Sequence, residues 1–185
     1  MKRRWRLNER TAEHRSRPGT ALRYDQLKIL LVDDNRHMRF LLSEILRAVG
    51  IKEILEAGDG AEGLKIMRMR SIDVVITDLT MQPMDGIEFV RRLRSAPDSP
   101  APLTPIIMIT GHSTVARVRE ARDAGVNEFM AKPLSARGIL DRLHRVTNDP
   151  RRFVRSEQFT GPDRRRRAEV PLDGVTRRAA DRPGS

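Results

Sequence analysis

Val74-Val75-Ile76-Thr77-Asp78 is a short, mostly β-branched apolar run that ends in a carboxylate. The segment after it, Leu79-Thr80-Met81-Gln82-Pro83-Met84-Asp85-Gly86, turns the chain toward a helix. Short apolar runs bounded by turn residues read as buried strands. A carboxylate where a parallel strand ends stands at the mouth of the sheet, where α/β proteins place their chemistry. Three further runs end in polar groups as well. Ile29-Leu30-Leu31-Val32 is followed by Asp33-Asp34, Ile106-Ile107-Met108-Ile109 by Thr110, and Glu128-Phe129-Met130-Ala131 by Lys132-Pro133. Three carboxylates, a hydroxyl and an ammonium are thereby expected to converge on one point.

Between these runs, apolar residues recur at spacings of three and four, the mark of a helix with one buried face. Met38, Leu41, Leu42, Ile45, Leu46 and Val49 form one such face, stopped by Gly50. A second strand is expected at 53–57, and Asp59-Gly60 opens a helix with Ala61, Leu64, Ile66 and Met67 on its apolar face. Ile87, Phe89, Val90 and Leu93 lie on a helix that runs to about Ser95. Residues 96–105 hold four prolines and read as a loop. A helix follows over 115–124, stopped by Gly125, and Ile139, Leu140, Leu143 and Val146 mark the last one. The first strand is expected at 27–32 and the fifth at 128–130. Strand and helix alternate five times, and connections of this length require parallel strands with right-handed crossovers. The expected fold class is α/β, a doubly wound five-stranded parallel sheet.

Composition separates this domain from its flanks. The chain has 185 residues, of which 38% are apolar, which suits one domain with extensions. The formal charge of +11 sits at the ends: residues 1–24 carry eight Lys/Arg against two Asp/Glu, and 148–185 carry ten against six. Residues 25–147 are close to neutral, with 18 basic against 17 acidic. Three segments are therefore expected: a basic flexible arm at 1–24, a globular domain at 25–147, and a basic, mostly disordered tail at 148–185. In the tail, Phe153, Val154 and Phe159 are apolar enough for a short piece to dock. The absence of cysteine excludes disulfide scaffolds, zinc–thiolate sites and cysteine nucleophiles. No apolar run reaches the roughly 18 residues of a membrane span, and no apolar signal region follows the basic start. A cytoplasmic location is expected.

Like charges destabilise one another's ionised forms, so Asp33, Asp34 and Asp78 at one sheet edge imply a counter-charge. One or two carboxylates, waters and a phosphoryl group is the usual manner of binding Mg²⁺. Lys132 would add a fixed positive charge from the opposite side, and Thr110 a hydroxyl. Phosphoryl transfer is mostly positioning and charge neutralisation, and an Asp can itself be the nucleophile, giving an acyl phosphate. Taken singly, each group has a bland reading as helix cap or turn; the five together, at the ends of four strands, do not.

These motifs resemble the receiver domain of bacterial two-component response regulators, in particular the single-domain, chemotaxis-regulator-like kind. They are Val32-Asp33-Asp34, Thr77-Asp78-Leu79 with Met84-Asp85-Gly86, Ile109-Thr110-Gly111 and Phe129-Met130-Ala131-Lys132-Pro133. The resemblance covers about 25–147 and implies a flavodoxin-like strand order of 2-1-3-4-5. It implies that Asp78 is the phosphoacceptor, charged by a histidine kinase or phosphotransfer protein. Asp34 and Asp78 would bind Mg²⁺ directly, with the Thr80 backbone carbonyl as a third ligand and Asp33 acting through water. Lys132 would contact the phosphoryl oxygens, Thr110 would be the switch hydroxyl, and Phe129 the aromatic that follows it. Thr80 and His112 occupy lifetime-tuning positions, and Gly86 and Pro133 structural ones. The Lys132–Pro133 bond is expected to be cis. One departure stands out: the family's Met-Pro here reads Met81-Gln82-Pro83-Met84, with the proline one place late. Altered loop stiffness and intact chemistry are expected.

The leading functional expectation is a phosphorylation-switched signalling domain, not an enzyme beyond its own Mg²⁺-dependent phosphorylation and dephosphorylation. Its output would be an unidentified protein partner at the face of the fourth helix, fifth strand and fifth helix (α4-β5-α5), or drainage of phosphoryl groups from a kinase. A homodimer through that face is a family possibility. The alternative is a nucleic-acid-binding regulator that uses the basic ends, gated by the receiver; a third reading is a phosphorylation-independent scaffold. The run Arg164, Arg165, Arg166 and Arg167 could meet phosphates, yet such runs are commonly solvated tails, and Trp5 and Tyr24 are too few for a stacking surface. His37 and His144 share no metal-ligand spacing.

Overall fold

The computed structural model describes residues 24–111, 114–148, 153–155 and 160–162. Five strands, β1 (Lys28–Val32), β2 (Glu53–Ala57), β3 (Val74–Asp78), β4 (Ile106–Thr110) and β5 (Glu128–Ala131), pair in parallel in the order β2-β1-β3-β4-β5. Helices α1 (Arg36–Ala48), α2 (Gly60–Met69), α3 (Gly86–Ser95), α4 (Val115–Ala124) and α5 (Ala136–Asn148) alternate with them. This is the expected flavodoxin-like sheet.

The inner strands β1, β3 and β4 are largely apolar because both faces of the sheet are covered there, whereas edge strand β2 carries Glu53 and Glu56. Leu30, Val32, Val75, Ile106 and Met108 face a core closed by α2, α3 and α4. Their neighbours Ile29, Leu31, Val74, Ile76, Ile107 and Ile109 face a second core closed by α1 and α5. Each helix starts at a side chain that accepts its free N–H groups. Asn35 caps α1, Asp59 caps α2, Asp85 caps α3 and Thr114 caps α4. Gly125, in the left-handed region with φ of 106°, ends α4.

Several details differ from the sequence expectation. Strand β1 starts at Lys28, and Leu27 is buried just before it, its N–H bonded to the Tyr24 carbonyl. Strand β5 extends to Ala131. Leu41, expected on the buried face of α1, is 47% exposed beside Phe40, because the buried stripe is the narrower one of Leu42, Ser43 and Leu46. Ala61 is exposed, and α2 instead buries Gly60 and Gly63 with Leu64 and Met67. A Cβ at Gly60 would come within 2.7 Å of the Met84 sulfur and 2.8 Å of the Phe89 Cβ, so α2 approaches α3 through a glycine surface. A single 3₁₀ turn, Tyr24–Gln26, leads into β1.

Within the tail, β6 (Phe153–Arg155) and β7 (Thr160–Pro162) form an antiparallel pair, and β7 lies against α3 with Gly161 and Pro162 buried. Phe159 lies outside the described residues, as do residues 1–23 of the arm and the Arg164 to Arg167 run.

Arg94, near the end of α3, is 3% exposed. Its Nε donates to the Gly125 carbonyl at 3.1 Å, Nη1 to the Pro102 carbonyl at 2.7 Å, and Nη2 to Asn127 Oδ1 at 3.0 Å. The same Asn127 oxygen accepts the Ile106 N–H at 2.9 Å. One guanidinium thus ties α3, the proline-rich loop and the entry to β5. Burial pulls its pKa down to about 9, which still leaves it protonated at neutral pH. Truncation would leave buried acceptors without donors and open a cavity. Arg94→Ala is expected to lower stability by about 3 kcal/mol, read from the midpoint shift in urea unfolding.

Candidate functional site

Strand register brings the polar ends together. Val32 pairs with Thr77, so Asp33 and Asp78 leave the sheet side by side. Asp78 pairs with Ile109 and Thr110 with Ala131, so Thr110 and Lys132 follow at the next steps along the same edge. The Thr110 carbonyl accepts the Lys132 N–H at 2.9 Å.

Asp78 ends β3 at 8% exposure. Its Oδ1 accepts from Lys132 Nζ at 2.7 Å and its Oδ2 from the Thr80 N–H at 2.8 Å. Its backbone leaves no room beside it: a Cβ at Gly86 would sit 2.1 Å from the Asp78 carbonyl oxygen. Asp33 is 2% exposed. Its Oδ1 accepts the Asn35 N–H at 2.8 Å, whereas Oδ2, 4.0 Å from Lys132 Nζ, is buried with no hydrogen-bond partner. Burial pushes the Asp33 carboxyl up, against the Asn35 N–H; the charges of Asp78 and Asp34 raise it further, and Lys132 opposes them. Asp34 is exposed and its Oδ2 accepts the Gln82 N–H at 3.2 Å.

The remaining expected residues fall where the strands put them. Thr110 ends β4 and is buried. Phe129 is half-buried and packs against the α2–α4 core. Thr80 is exposed. Lys132–Pro133 is cis, as is Gln82–Pro83. His112 lies outside the described residues.

Two supports of the site had no local signal in the sequence. Arg39 of α1 donates from Nη1 to the Asp33 carbonyl at 2.7 Å and from Nε to Glu56 at 3.1 Å, fixing the loop after β1 from β2. The Gln82 N–H reaches Asp34 across 48 residues of chain. A proline at position 82 would have no N–H to offer, so the displaced proline leaves the two acidic loops tied together.

A buried, unpartnered carboxylate oxygen next to a second carboxylate is an unfavourable arrangement unless a cation completes it. Among the described residues no three acidic or histidine side chains are close enough to enclose an ion alone. The donor set is instead the Asp33 and Asp78 carboxylates beside the exposed Asp34 and Thr80, hard oxygen donors of the kind that suits Mg²⁺.

The comparisons with known proteins agree with this geometry. The model of the response regulator receiver domain family matches residues 29–144. The chain belongs to that family. The chemotaxis protein CheY-3 of Vibrio cholerae is 33% identical over 120 residues, covering 65% of this chain and 91% of its own. The structure of Vibrio cholerae CheY4 is 33% identical at a TM-score of 0.60, covering 65% of this chain and 98% of its own. The receiver domain of a sensor histidine kinase from Pseudomonas aeruginosa, solved with magnesium coordinated in its active-site cleft, is 25% identical at a TM-score of 0.58, over 64% of this chain and 95% of its own. The chain is thus a receiver of two-component signalling, homologous to the chemotaxis response regulators. Receivers are generally phosphoacceptors rather than enzymes, typically bind Mg²⁺, and work with kinases and output proteins. The nucleic-acid alternative finds no support in these matches. No helix among the described residues is long and apolar enough to cross a membrane.

The raised Asp33 carboxyl carries a sign. A carboxyl raised by folding favours the folded state at low pH, and that contribution is lost as pH rises through the folded value. Above the folded value and without metal, the Asp33 carboxylate therefore works against folding. Asp33→Asn is expected to raise the melting temperature of the metal-free protein by roughly 2–4 °C, measured by calorimetry in the presence of a chelator.

Proposed function

We propose that Asp78 accepts a phosphoryl group from a histidine kinase or phosphotransfer protein, and that the resulting acyl phosphate switches the domain. The observation that carries this reading is the Asp78–Lys132 contact of 2.7 Å beside the unpartnered Asp33 oxygen. One carboxylate is held at the sheet edge by a flexible ammonium and the Thr80 N–H, with a second carboxylate ready to take part in holding a cation.

A carboxylate oxygen of Asp78 attacks the phosphorus of the donor phosphohistidine. The new O–P bond forms as the P–N bond breaks, and the electron pair returns to the imidazole nitrogen. Lys132 moves from the Asp78 carboxylate to the phosphoryl oxygens and offsets their charge. Asp33, Asp34, Asp78 and the Thr80 carbonyl are the residues that would hold Mg²⁺. When bound, the ion supplies charge neutralisation for the phosphoryl group in transfer and hydrolysis. The Thr80 N–H already donates to Asp78, so the acceptor is oriented before the donor arrives.

Phosphorylation adds roughly −1.5 to −2 charge. Thr110 and Lys132 bond to it in one conformation, which gains population, and Phe129 follows Thr110. The α4-β5-α5 face then selects an output protein, forms a homodimer, or leaves the domain as a phosphate sink. Thr80 and His112 tune the lifetime. A cytoplasmic location belongs to the same reading.

The test is intact mass after incubation with Mg²⁺ and a small phosphodonor. Wild type is expected to gain one phosphoryl group, and the gain should vanish in Asp78→Asn and on chelation of the metal. Lys132→Ala should still bind Mg²⁺ but label at least about 100-fold more slowly, the scale of losing one charge-stabilising donor. Labelling of Asp78→Asn at the wild-type rate would exclude Asp78 as the acceptor.

A further inference from the structure

Helix α4 is the one least held by apolar packing. Its buried side chains are Ala121 and Ala124, whereas α3 buries Ile87, Phe89, Val90 and Leu93, and α5 buries Ile139, Leu143 and Val146. Two methyl-sized contacts remove little surface from water, so something else must hold α4 against the domain.

That something is charge. Arg117 Nη2 donates to Asp85 Oδ2 at 2.8 Å, and Nη1 to Glu120 Oε2 at 2.8 Å. The other Glu120 oxygen accepts from Arg91 Nη2 at 2.9 Å. Asp85, Arg117, Glu120 and Arg91 thus alternate in sign and cross between α3 and α4 twice. Their side chains are between one third and 57% exposed, so any single pair is weak and screened by salt. A linked set of four is the case in which exposed pairs act together. Asp85 responds accordingly. Burial would push its carboxyl up, but the Glu88 N–H and the hydrogen bond and charge of Arg117 hold it below the usual carboxylate range. Arg117 is raised in turn, first by its bond to Asp85.

The set is rooted in the site. Asp85 caps α3, its Oδ1 accepting the Glu88 N–H at 2.8 Å. The next residue, Gly86, donates its N–H to the Leu79 carbonyl at 3.1 Å and abuts Asp78. One end of the charge chain therefore stands in the loop that follows Asp78. Its middle members, Arg117 and Glu120, are on the helix that follows Thr110.

We propose that Asp85, Arg117, Glu120 and Arg91 form an electrostatic clamp that holds α4 on α3 in the unphosphorylated protein, and that its release is part of the switch. This rests on the reading of Asp78 as acceptor and deepens it. Arg117 acts as a positioning residue that touches neither phosphoryl group nor metal. The clamp sets how much of the unphosphorylated population has α4 already free, and so how readily phosphorylation completes the change.

The experiment is amide hydrogen exchange on the full unphosphorylated chain, for wild type, Arg117→Gln, Asp85→Asn and the double variant. Asn retains the helix cap, so Asp85→Asn removes the charge and the acceptor that faces Arg117 while the cap stays. Each single variant is expected to exchange about two- to fivefold faster over 115–124, with α1 and α5 unchanged. The double variant should be no faster than either single one, and raised ionic strength should speed wild type but not Arg117→Gln. Both single variants should also label faster than wild type with a small phosphodonor and Mg²⁺. Unchanged exchange in α4, multiplicative effects in the double variant, or faster exchange with unchanged labelling would each overturn the clamp. An unlabelled wild type would count against Asp78 as acceptor, and the exchange comparison alone would then decide the clamp.

Discussion

Asp33 and Asp78 are buried side by side, and the ammonium of Lys132 reaches both, at 4.0 and 2.7 Å. Like charges at low exposure oppose folding, so the arrangement exists only because the rest of the molecule enforces it. The strand order makes β1 and β3 neighbours at the centre of the sheet, which puts the two carboxylates at one edge. Lys132 comes from the end of β5, two strands from β3, about 10 Å at ordinary strand spacing. Only a long, flexible stem covers that distance, and it can swing from the carboxylate to an incoming anion without the backbone moving.

The fold was legible because the strands are buried on both faces. A doubly covered parallel strand has no polar face, so Ile29 to Val32, Val74 to Thr77 and Ile106 to Ile109 stand out as continuous apolar runs. The site was legible for the complementary reason: each run stops at a polar residue that has no use in a core. Helix faces were less exact. Leu41 and Ala61 fit a helical period but lie off the narrow stripe that touches the sheet. In α2 two glycines take the buried positions, which an apolar pattern does not register.

Arg94 could not be read from the chain. It sits in Arg91-Arg92-Leu93-Arg94, where the other two arginines are exposed and paired with acids. Its partners are carbonyl groups of Pro102 and Gly125 and the amide of Asn127, which carry no sequence signature. The same holds for Arg39 and the Gln82 N–H, whose contacts are with backbone or across the sheet edge. Long-range bonds to the main chain depend on the finished fold and leave no periodicity behind.

The two cores share nothing but the sheet. Leu30 and Val32 belong to one, Ile29 and Leu31 to the other, so neighbouring residues of a single strand answer to different helices. A change of volume under α1 or α5 is met first by one core, and one under α2, α3 or α4 by the other. Over evolutionary time the two surfaces can therefore diverge at different rates, one set of contacts drifting while the other is held.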